Sequence, residues 1–159
     1  MAIQKIMPFL WFDSQAEEAA RFYTSIFPNS KILKLLRYGA AGPGPAGSVM
    51  TAEFELEGQR FVGLNGGPHF KFTEAVSFVV NCETQEEVDF YWEKLSAGGR
   101  PDRCGWLKDK FGLSWQIVPT ALFTVLSDPD PQRSERAMKA MLSMQKLDIR
   151  ALQQAAEGR

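Results

Sequence analysis

The chain has 159 residues, 45% of them hydrophobic, enough for one domain with a full core. With 18 Lys and Arg against 19 Asp and Glu, the net charge of -1 leaves no electrostatic case for nucleic acid or an anionic membrane as partner. No apolar run approaches the ~20 residues that cross a bilayer, the N-terminus lacks the pattern of a signal peptide, and two cysteines are too few for a disulfide framework. A cytoplasmic chain with Cys82 and Cys104 reduced is expected.

Residues 3–12 are β-branched and aromatic and predict a strand ending at Asp13-Ser14, either of which can cap the helix that follows. Glu17 and Glu18 suit its first turn, and Ala19, Phe22, Tyr23 and Ile26 recur at the spacing of one buried helical face. Pro28-Asn29 ends it. Residues 31–38 predict a second strand. The segment GAAGPGPAG, 39–47, carries no packing side chains and predicts a mobile loop. Alternation over 48–56, a turn at Glu57-Gly58 and a strand over 59–64 predict a hairpin, which Asn65-Gly66-Gly67-Pro68 closes.

After a bridge at 69–73 the pattern starts again. Residues 76–82 predict a strand, Glu83-Thr84 a cap, and Val88, Tyr91, Trp92 and Leu95 a buried helical face ending at Gly98-Gly99. Strands over 103–108 and 113–118 flank a turn at 109–112, with a short strand before Cys104 as an option. Asp128-Pro129-Asp130-Pro131 then marks a helix start, with helices over 135–145 and 148–156. Met138, Met141, Leu142, Ile149 and Leu152 give this tail an apolar side, suited to packing on a sheet or to clasping a second subunit.

The two halves correspond at a constant offset of 68 residues: Phe22-Tyr23 falls on Phe90-Tyr91, Glu18 on Glu86, and Trp11 on Val79. Agreement of strand, cap and aromatic pair points to a duplicated module. Residues 1–127 then form a single α+β domain of two βαβββ modules, 1–68 and 74–119, with a helical extension over 128–159.

Paired βαβββ modules are the architecture of the vicinal oxygen chelate superfamily, which includes glyoxalase I, bleomycin resistance proteins and extradiol dioxygenases. The strings PFLWFDSQAEEAARFYTSIFPNS, GPAGSVMTAEF, LNGGPHFKFTEAVSF and CGWLKDKFGLSWQIVPTAL resemble its PhnB-like branch, whose members are described as demethylubiquinone methyltransferase-like. The resemblance runs from Ile6 to the helices after Asp128. It implies a curved mixed sheet, a homodimer, and in active members a divalent ion held by His, Glu and Gln.

Laid on that pattern, the four ligand positions fall at Pro8 or Phe9, near 63–65, at Ser77 and at Gln116. Gln116 is the one candidate metal ligand, with Asn65 adding a second amide oxygen. Such a set lacks the imidazoles and carboxylates that a catalytic divalent ion takes, so no cofactor is expected. Methyl transfer is not expected either. The glycines of residues 63–68 end a strand and lead into an aromatic segment, not a helix.

What the resemblance leaves is a cavity for a small, partly aromatic molecule. Strand alternation, with its register set by the family, groups Phe9 and Trp11 with Phe61, Gly63 and Asn65, then Ser77 and Val79, then Ser114 and Gln116. The candidate ligand-binding residues are Phe9, Trp11, Phe61, Asn65, Ser77, Trp106 and Gln116. Phe9 and Phe61 serve equally as core filler. Trp11 and Gln116 carry polar groups that need a partner when buried, which a ligand would supply.

No catalytic residue is assigned. His69 is a candidate acid or base, against a solvated linker histidine; Cys104 is a candidate thiol beside Arg103, against a small buried hydrophobe. Asp109 fits a turn, and Glu53 and Glu55 an outward strand face. Sequestration of a small molecule is the expectation. The rivals are a metal-dependent lyase, isomerase or dioxygenase, and a dimeric interaction protein.

Overall fold

A computed structural model of the chain describes residues 4–159, so the expected strand start at Ile3 lies outside the described residues. The chain divides into two compact units, Met1–Phe72 and Thr73–Arg159. Among the described residues no helix is long and apolar enough to cross a membrane.

The first unit runs β1 (Phe9–Phe12), α1 (Ala16–Ile26), β2 (Lys31–Arg37), β3 (Val49–Leu56) and β4 (Gln59–Asn65). Its sheet has the order β1-β4-β3-β2, with β1 parallel to β4 and the other pairs antiparallel. Ala16, Ala19, Ala20, Tyr23 and Ile26 form the buried side of α1. Small residues at three of these positions let the helix approach the sheet closely. Tyr23 meets Phe54 at 5.9 Å between ring centroids, and Phe54 stacks on Phe61 at 5.4 Å.

Neither Asp13 nor Ser14 caps α1. The N-cap residue is Gln15, whose side chain makes no capping bond. The Ala16 N–H instead donates to Asn65 Oδ1 at 2.8 Å, so the first helix is capped from the last strand of its own module.

The second unit repeats the plan: β5 (Ser77–Cys82), α2 (Gln85–Ser96), β6 (Arg100–Pro101), β7 (Trp106–Lys108) and β8 (Ser114–Pro119), in the order β5-β8-β7-β6. Here the cap is local, as expected. Thr84 Oγ1 accepts from Glu87 N, and Glu87 Oε1 accepts from Glu83 N. The expected strand from 103 begins at Trp106, because Cys104 and Gly105 turn with φ of 59 and 84. The optional short strand is β6. Asp109 shapes its turn by accepting from Phe111 N, Leu113 N and the Trp115 indole.

Three helices follow: α3 (Thr120–Leu126), α4 (Pro131–Leu142) and α5 (Ile149–Ala156). The first was missed, since Thr120, Thr124 and Val125 weaken its local propensity. Tertiary packing overrides that: Leu122 and Val125 join Val118, Ala137, Leu147, Leu152 and Ala156 in one buried cluster. The tail therefore packs on the end of β8. Asp130 and Asp148 cap α4 and α5 by accepting from Gln132 N and Ala151 N.

Candidate functional site

In the first unit, Trp11 projects from the face of β1 opposite Leu10 and Phe12, which are buried. Its indole N–H donates to Gly67 O at 2.9 Å. The chain at Gly66 passes so close that a Cβ there would lie 2.2 Å from Trp11 Cζ2. Phe70 meets the indole edge-on at 4.8 Å and His69 at 6.5 Å. The glycine pair that follows β4 is thus the bed of a tryptophan.

The glycine-rich segment after β2 is also packed, contrary to the expectation of a loop without partners. Tyr38, just beyond β2, is only 7% exposed. Gly42 and Gly44 lie against its ring, where added Cβ atoms would sit 2.7 Å from Cδ1 and 2.4 Å from Cε2. Backbone bonds from Gly47 N to Tyr38 O and from Ser48 N to Pro45 O close the segment. The Tyr38 hydroxyl donates to Asn65 O at 2.5 Å. The packing side chain that the segment lacks is supplied by its neighbour.

Between this collar and Trp11 lies a cleft of about 680 Å³. Trp11, Tyr38, Val49, Met50, Leu64 and His69 give it apolar and aromatic walls; Asp13, Ser14, Glu17, Ser48 and Asn65 add polar groups. Glu17 pairs with Arg21 at 2.6 Å. Among the described residues the Asp13 carboxylate has no such partner. Asn65 lines the cleft, but its amide is engaged: Oδ1 by Ala16 N and Nδ2 by Val49 O at 3.1 Å.

The expected grouping of faces holds only in part. β1 pairs with β4 so that Trp11 sits beside Leu64 and Phe9 beside Val62. Phe61 and Asn65 belong to the opposite face, where Phe61 stacks in the core and Asn65 caps α1. The error is one residue of register, which in a strand exchanges every side chain between faces. Phe9 shares the Trp11 face, is 59% exposed and does not line the cleft.

In the second unit the grouping agrees with the register. Ser77 lies beside Ser114, Val79 beside Gln116, and Trp106 beside Gln116. Gln116 Nε2 donates to Ser77 Oγ at 3.0 Å, and Ser114 Oγ is buried with no partner among the described residues. Lys108, next to Ser114, pairs with Glu74 and holds its carboxyl below the usual range. Cys104 occupies a left-handed turn and donates its N–H to Met144 O at 2.8 Å. Burial pushes the Cys82 thiol up to about 11.

These residues do not fit a divalent ion. Phe9 offers no donor, the Asn65 amide is spent on backbone groups, and Ser77 and Gln116 bond to each other. Among the described residues no group of three or more His, Cys, Asp and Glu side chains is placed to hold a metal.

Sequence reasoning missed Tyr38, Asp13, Ser14 and Ser48 as lining residues. A lone aromatic before a glycine-rich run was the available signal.

The family model for 3-demethylubiquinone-9 3-methyltransferase matches residues 4–118. Among solved structures, the PhnB protein from Bacillus cereus, which bears the same family description, is 42% identical. It covers 74% of this chain and 100% of its own, with a TM-score of 0.68. Protein PA1353 from Pseudomonas aeruginosa is 20% identical, over 74% of this chain and 98% of its own, with a TM-score of 0.61. The fosfomycin resistance protein FosX from Listeria monocytogenes, complexed with Mn(II) and sulfate, is 15% identical over 75% of this chain and 91% of its own, at 0.51. The last two show the fold alone, that of the vicinal oxygen chelate superfamily. Comparison with curated proteins finds no match. The match is shorter than the expected span, since α3, α4 and α5 follow the segment the family model covers. With two βαβββ modules in matching strand order and this similarity across most of its length, the chain belongs to the 3-demethylubiquinone-9 3-methyltransferase, or PhnB, family.

Proposed function

We propose that this protein binds a small, partly aromatic organic molecule, without a catalytic metal, in the cleft beside Trp11. The observation that carries this is the cleft itself. Its volume of about 680 Å³ falls within the range of small-molecule sites, and its walls are aromatic and aliphatic with a few polar groups. The rings are held in place before any ligand arrives: Trp11 by Gly67 O, Tyr38 by Asn65 O and its glycine collar. Preorganisation of this kind lowers the ordering cost of binding.

The family description names a methyl transfer, which the local geometry does not favour. A site for S-adenosylmethionine uses a glycine-rich turn that opens a helix and leaves its N–H groups free. Here Gly66 N and Gly67 N donate to Phe12 O and Asp13 O, and the next element in the chain is the strand β5.

A thermal-shift and calorimetric screen of quinones, planar antibiotics and aromatic acids tests the proposal. Hits are expected to lose affinity in Trp11→Ala and in Gly66→Ala, which displaces the indole, and to be indifferent to added EDTA. Silence across the panel, or hits untouched by both variants, would sink it.

A further inference from the structure

Deepening the proposed function and resting on it, we infer that the cleft selects an organic cation, an amine or ammonium group carried on a flat apolar body. The argument is an account of which hydrogen-bonding groups are already used. Four donors that line the cleft are spent on backbone carbonyls. The Trp11 indole goes to Gly67 O, the Tyr38 hydroxyl to Asn65 O, Asn65 Nδ2 to Val49 O, and the Ser48 hydroxyl to Pro45 O.

Left for a ligand are the Asp13 carboxylate, the Ser14 hydroxyl and the His69 imidazole, none of which makes a side-chain hydrogen bond among the described residues. The lining contains two carboxylates and neither Lys nor Arg. Glu17 is offset by Arg21, so Asp13 supplies the uncompensated charge. Arg37, which ends β2, donates to Gly47 O and does not line the cavity. A ligand anion would therefore meet a carboxylate, with only the Ser14 hydroxyl and the His69 imidazole left to donate to it. A cation meets that carboxylate in a cleft whose walls Trp11 and Tyr38 make partly aromatic, a setting that suits positive charge.

The test uses the full chain and three bicyclic probes of one size: N-methylquinolinium, neutral 1-methylnaphthalene and anionic 1-naphthoate. Binding is followed at the Trp11 indole N–H in ¹H–¹⁵N spectra, the signal being identified by its loss in Trp11→Phe. The cation is expected to bind about tenfold more tightly than the neutral probe, with the anion weakest. Asp13→Asn should remove most of that preference and leave the neutral probe unchanged, and Glu17→Gln should have the smaller effect. Raising NaCl should weaken the cation alone.

If the neutral probe or the anion shifts Trp11 at equal or greater affinity, the inference fails while the proposed function stands. A cation preference that Asp13→Asn leaves intact likewise overturns it. If none of the three shifts the indole signal, the cleft is not the binding site and both fall together.

Discussion

The two units share a strand order and a helix position, yet they secure their helices by different means. α2 is capped within four residues by Thr84 and Glu87. α1 is capped by Asn65, which stands 49 residues away in sequence. The open ends differ in the same way. The first unit closes its edge with a glycine collar around Tyr38, whereas the second uses the two-residue β6 and packs three further helices against the end of β8. A duplicated skeleton thus became two dissimilar halves through contacts that are distant in sequence. The cleft belongs to the half whose helix depends on such a contact.

The comparison can be broken most forcefully at the tail. Leu147 is fully buried in the α3–α5 cluster, and its carbonyl accepts from Gln85 Nε2. Leu147→Ala is expected to lower stability by about 2–5 kcal/mol in urea denaturation, the usual cost of a core cavity. A loss under ~1 kcal/mol would mean that the tail is not part of the second unit's core.

The caps sharpen it further. Asn65→Ala should cost about 1–3 kcal/mol, because it removes a cap and leaves Val49 O without its donor. Thr84→Ala should cost ~1 kcal/mol, since only the local cap is lost. Equal losses would erase the distinction between a local and a distant cap.

Smallest is the effect of pH on the thiols and the surface pair. Raised to about 11, Cys82 stays protonated at pH 8, and Cys104, which is less buried, should react first with a disulfide reagent. A raised acid favours folding below its unfolded value near 9.0, and that preference is lost as pH climbs through about 11. Glu74 behaves oppositely. Its lowered value means that pairing with Lys108 contributes above pH 4.5 and fades as pH falls through the depressed value. Rapid labelling of Cys82 ahead of Cys104 would contradict this order.

The fold was legible because it rests on local signals: alternation in β3, the helical faces of α1 and α2, and a repeat detectable at one offset. The candidate site was legible only in fragments. Trp11, Asn65 and His69 do line one cleft, and Ser77 does meet Gln116. The partners of Trp11 and Asn65 lie 56 and 49 residues away, and no local pattern announces such bonds. A register set by Ser77 and Gln116 grouped Phe61 with Trp11, whereas Phe61 stacks on Phe54 in the core. Tyr38 escaped notice because glycines are usually read as freedom, whereas Gly42 and Gly44 serve close packing against a ring.

The distant cap also sets a timetable. A chain emerging from the ribosome at about 5–20 residues per second offers Ala16 its partner Asn65 only after some ~2–10 s. Until then the first helix has a free N–H at its start, and helices this short do not persist alone. The second helix has its whole cap in hand within four residues of Thr84. Synthesis therefore completes one helix cap only at the end of its module and the other as soon as its helix is made.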